Sequence, residues 1–128
     1  MPPRRRRPEP EALAAALADV EAGDPARASL KLLVKHYLDE LVEAAPGYSV
    51  EVRVPPYGAV QAVAGGRHTR GTPRAVVETD ALTWIALARG GLTWDDAVGT
   101  HRIAASGERT DLAPYLPLTG PRAGSGPA

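Results

Sequence analysis

Apolar positions along the chain follow two spacings, and the switch between them divides it. Leu13, Leu17 and Val20 recur at i, i+4 and i+7, with Gly23 placed as a stop, which predicts a helix carrying a narrow, Ala-rich stripe. Asp24-Pro25 predicts a restart, with an N-cap acceptor followed by a proline at the first helical position, where its missing N–H is no loss. Leu30, Leu33, Val34, Tyr37, Leu38, Leu41 and Val42 then repeat at three and four as one broad buried face, ended by Pro46-Gly47. Lys35, His36, Asp39, Glu40 and Glu43 fall opposite, on a face expected to be solvated.

From Tyr48 the period becomes two. Val50, Val52 and Val54 alternate with Ser49, Glu51 and Arg53, which predicts a strand with one dry and one wet face. The Pro55-Pro56-Tyr57-Gly58 turn predicts a hairpin into a second strand over 59–64, broken by Gly65-Gly66; its inward side stays open because Gln61 and Val63 share a face. The segment RHTRGTP, 67–73, reads either as a short edge strand protected by charge and proline or as a loop presenting Arg67, His68 and Arg70 to an anion or lipid head group. A strand over 75–78 follows.

The stretch from Glu78 to Gly107 organises the rest. Thr79 or Asp80 caps a helix in which Leu82, Ile85, Ala86 and Arg89 share one face and Trp84, Leu87 and Ala88 the neighbouring one. A helix apolar over so much of its girth is expected to be sandwiched or to border a cavity. Gly90-Gly91 stops it, and Thr93 begins a short helix whose start suits Asp95 and Asp96. Capping and dipole roles account for these carboxylates without acid–base chemistry. A last strand around Ile103 and Ala105, closed by Gly107, leads to a brief helix over 111–116 that Pro117 stops. The expected fold class is therefore α+β, with a disordered basic arm over 1–8, an N-terminal helix over 9–23, one domain over 24–118 and a disordered tail over 119–128.

Composition narrows the functional classes. The 128 residues suffice for one core, and 44% are hydrophobic, but there is no Phe, so aromatic bulk rests on two Trp and four Tyr. Fifteen basic against 15 acidic residues argue against a nucleic-acid or anionic-membrane field, and the Arg4–Arg7 run is expected to be a solvated arm. The absence of Cys excludes disulfides, thiolate metal sites and thiol nucleophiles. No apolar window approaches a membrane span, and a soluble cytoplasmic location is the expectation. No GxSxG, HExxH, Walker loop or GxGxxG occurs, and the three His lack ligand spacing, so neither a catalytic residue, a metal site nor a cofactor is expected.

The order strand, Asp-capped helix, Gly stop, short helix, strand, Gly, terminal helix resembles the C-terminal half of the sterol carrier protein type 2 superfamily. Asp80, Trp84, Leu87, Gly91, Ala97, Ile103, Gly107 and Leu116 carry the resemblance. The runs VEVRVPPYGAVQ, RHTRGTP, VVETD, ALARG, LTW and ASGERTDL are similar to a compact bacterial branch of that superfamily, over about residues 26–118. The resemblance implies a sheet of about five strands with helices packed on one face, an apolar cavity between the layers, and non-covalent binding of sterols, fatty acids, acyl-CoA or other lipids without catalysis.

The leading expectation is thus binding or carriage of a lipid or other apolar small molecule, with Leu33, Tyr37, Leu41, Val52, Trp84, Leu87, Ile103 and Leu116 as candidate lining. The alternative is an accessory module of the same fold, its pocket collapsed, that docks on a protein partner.

Overall fold

The computed structural model describes residues 7–65, 75–107 and 110–118. Its elements run α1 (Pro10–Glu21), α2 (Arg27–Ala44), β1 (Val50–Val54), β2 (Gly58–Ala62), β3 (Ala75–Thr79), α3 (Ala81–Arg89), α4 (Trp94–Gly99), β4 (Ile103–Ser106) and one 3-10 turn, Ala113–Tyr115. The strands form a mixed sheet in the order β2-β1-β3-β4, with β1 parallel to β3 and the two outer pairings antiparallel. Four strands stand among the described residues where about five were expected. The RHTRGTP segment, read as either an edge strand or a loop, lies outside the described residues together with Arg67, His68 and Arg70.

Alternation decides which face of the sheet is covered. Val50, Val52 and Val54 of β1 and Ala75, Val77 and Thr79 of β3 are buried. Their neighbours Arg53 and Glu78 are exposed and pair in register on the other face. The inward side of β2, open at the level of sequence, is settled by Ala62, which is buried and lies opposite Val50. Five residues of the α2 stripe, Leu33, Val34, Tyr37, Leu38 and Leu41, join this core; α1 packs on α2 outside it and buries only Ala16.

The α1–α2 link differs from expectation. Ala26, not Asp24, is the N-cap of α2 and supplies no side-chain acceptor. Asp19 of α1 reaches across instead and accepts the Ala26 N–H at 2.8 Å, and that bond holds the Asp19 carboxyl below its ordinary range. On the side of α2 expected to be solvated, Arg7 donates to Glu40 and Glu43 at 2.6–3.1 Å.

Helix α3 is held at both ends. Asp80 accepts the Thr83 N–H at 2.8 Å and the Thr83 hydroxyl at 3.0 Å, which satisfies an orphan donor of the first turn. Thr79, the other candidate cap, donates to the Arg102 carbonyl instead and ties the end of β3 to the start of β4. At the far end Gly90 is left-handed, and Gly91 and Gly90 donate back to Ala86 and Leu87 in a Schellman arrangement. Asp80→Ala is expected to lower stability by about 1–2 kcal/mol, read as a lower urea midpoint at unchanged slope. An unchanged midpoint would show that the cap carries no energy.

Candidate functional site

Carbonyls at the C-terminal end of a helix need partners, and here the chain returns to supply one. Leu118 donates its N–H to Ala88 at 2.7 Å, drawing residues 112–118 across the end of α3. Leu112 and Leu118 are both buried and peg this strap at its two ends. Asp111, just before the first peg, accepts the Ala113 N–H, and between the pegs the chain makes a single 3-10 turn. The helix expected over 111–116 is cut to that turn because Leu116 is already extended before Pro117.

The strap, the end of α3 and the start of α4 enclose an apolar groove of about 270 Å³, open on one side. Leu87 lies against one wall, Leu92 and Trp94 another, and Leu116 and Pro117 form the strap side. Asp95 stands at the margin and is exposed. The α4 wall is positioned by Thr93, whose hydroxyl accepts the Asp96 N–H at 3.1 Å, so the Thr93-Asp95-Asp96 cluster serves the helix start as its sequence suggests. Gly90 passes beside Pro117 of the strap, where a Cβ would make only ordinary contact at 3.4 Å, so it is the left-handed φ of 87° that calls for glycine there.

Two larger hollows lie on the outer helices. One is framed by Arg7, Glu9, Lys35, His36 and Asp39, where burial holds the His36 imidazole below its ordinary value. The other is a shallow Ala-lined trough between α1 and α2. Neither is bounded by the sheet or the strap. Among the described residues, no group of three or more His, Cys, Asp or Glu is placed to hold a metal ion, and no helix is long and apolar enough to cross a membrane.

The eight candidate lining residues divide cleanly. Leu33, Tyr37, Leu41 and Val52 are covered in the core between α2 and the sheet, at 0–1% exposure. Trp84 is equally covered, but its indole N–H has no hydrogen-bond partner among the described residues. Ile103 is half-buried on β4, away from the groove. Leu87 and Leu116 are brought together in the groove itself. Sequence reasoning missed Leu92, Trp94 and Pro117 as lining. The available signal was an apolar residue directly before the Thr93 cap, where a hydrophobic staple stands, and a Trp at the first helical position.

A family model described as "Bacterial SCP ortholog" matches residues 26–118, from the start of α2 to the end of the strap, leaving α1 outside. No curated protein matches the chain.

Proposed function

The chain belongs to the bacterial SCP ortholog family, and from that premise we propose that it binds or carries an apolar small molecule without chemistry, taking it at the groove between α3, α4 and the strap. The observation that supports this most is the groove's composition: Leu87, Leu92, Trp94, Leu116 and Pro117 surround about 270 Å³, close to the lower end of small-molecule sites at about 300 Å³. Apolar burial at about 25 cal/mol per Å² is the driving force, so a short acyl chain or one end of a longer lipid fits the space. Carriage also suits a wall that is irregular strap rather than sheet, because a strap held by two leucine pegs and the Leu118–Ala88 bond can part from α3 without breaking a strand ladder.

The test is native mass spectrometry of freshly purified protein, followed by organic extraction and lipid titration of Trp94 fluorescence. A reproducible adduct of lipid mass and a saturable fluorescence change are expected. Leu116→Asp, which sets a charge on a half-buried groove position, is expected to weaken that binding at least about tenfold. A second reading, an accessory module with a collapsed pocket, draws support from the close burial of Leu33, Tyr37, Leu41 and Val52. Absence of both adduct and fluorescence change would select it.

A further inference from the structure

Trp84 carries a donor that the fold does not use. The residue is 1% exposed, and its Nε1 is a buried side-chain polar atom with no hydrogen-bond partner among the described residues. Indole N–H is a donor only, and a buried donor without an acceptor loses its hydration with nothing in return. Buried Trp ordinarily finds a partner, which makes this one an exception to be explained.

Its position in α3 ties the exception to the groove. Leu87 lies three residues on, and residues three apart share a helix face one turn above one another. Leu87 lines the groove, and Trp84 stands on the same face one turn nearer the start of α3, covered and not itself part of the lining. Of the carboxylates here, Asp95 lines the groove and Asp80 caps the start of α3 one turn before Trp84. The nearest cation on the helix, Arg89, donates to the Tyr37 hydroxyl at 3.3 Å.

We propose that Trp84 is the specificity-determining anchor of the site, its indole N–H donating to a single uncharged oxygen, as in an alcohol, ketone or ester, at the leading end of an otherwise apolar ligand. The proposal rests on the groove being a ligand site and deepens it by naming the ligand's polar chemistry. One neutral donor cannot replace the hydration of a carboxylate, so anionic lipids are selected against.

The experiment is Nile red displacement from the full chain by 1-octanol, octane and octanoate at pH 8, on the natural protein and on Trp84→Phe. In the natural protein octanol is expected to bind at least about tenfold more tightly than octanoate. Trp84→Phe is expected to weaken octanol by about five- to tenfold, the equivalent of one hydrogen bond, while changing octane less than twofold. Equal weakening of octanol and octane would reduce Trp84 to packing and overturn the anchor while leaving the apolar site standing, as would octanoate binding as tightly as octanol. Failure of octane and octanol alike to displace the dye would remove the site and the anchor together. Because Trp84→Phe thins the core, the natural protein gives a second readout in the 15N spectrum of its indoles. Octanol is expected to move the Trp84 N–H downfield and octane is not; a signal already downfield and indifferent to octanol would show an internal partner and overturn the proposal.

Discussion

Replacing Gly47 with alanine is expected to cost about 3–5 kcal/mol, a large part of the roughly 5–15 kcal/mol that holds a domain of this size together. Gly47 has φ of 151°, in a region that only glycine occupies readily. A Cβ there would collide with the Val63 carbonyl and the Ala64 nitrogen. Both are backbone, so no side chain can swing aside. The Val63 carbonyl cannot retreat either, because it accepts from the Ser49 N–H at 3.0 Å and the Ser49 hydroxyl at 2.7 Å, while the Val63 N–H donates to Ala45. Strain of about 1–3 kcal/mol from the dihedral adds to a similar amount from overpacking. Urea denaturation is the measurement, with Gly23→Ala as its companion. Gly23 also has positive φ, at 103°, but nothing stands within 4 Å of its Cβ position, so it is expected to lose only the dihedral part. Equal losses at the two glycines would show that the Val63 contact is not the cause.

Leu112→Ala is the second large expectation, at about 3–5 kcal/mol. Leu112 is fully buried yet comes from irregular chain, so its side chain rather than a ladder of backbone bonds fastens this end of the strap. Truncation leaves a cavity in the core and frees the segment that forms one side of the groove. Two readouts should therefore move together: a lower urea midpoint, and weakened binding of any apolar probe. Leu33→Ala, at an equally buried site on α2 remote from the groove, is expected to match it in stability and not in binding. Identical binding by the two variants would detach the strap from the site.

These two sites mark where sequence was legible and where it was not. The α2 stripe, the β1 alternation and the α3 caps are local patterns of three, four or two residues, and each stands where its spacing placed it. Pro46-Gly47 was readable as a stop, but its collision partner Val63 lies far along the chain, past the β1–β2 hairpin, and becomes visible only in space. The start of α2 was misplaced for the same reason, since the acceptor that serves Ala26 belongs to the preceding helix. In the candidate site, Leu87 and Leu116 could be named from their apolar faces, whereas Leu92, Trp94 and Pro117 join them through the fold of the strap, which no periodicity encodes. Tyr37, Leu41 and Val52 were proposed as lining because they face inward. An inward face does not distinguish a packed layer from a wall.

The single parallel ladder has a consequence for how the chain must find this fold. The hairpin β1–β2 and the run β3–α3–α4–β4 each pair strands that are close in sequence or joined by short helices. Among the described residues the two ladders meet only along β1 and β3, where Val50 stands beside Ala75 and Arg53 beside Glu78. Loop closure between distant segments therefore falls on this four-residue seam and on the packing of α2 against α3. To the folding chain, the described domain is two short-range halves that must be joined at the seam and under α2 together.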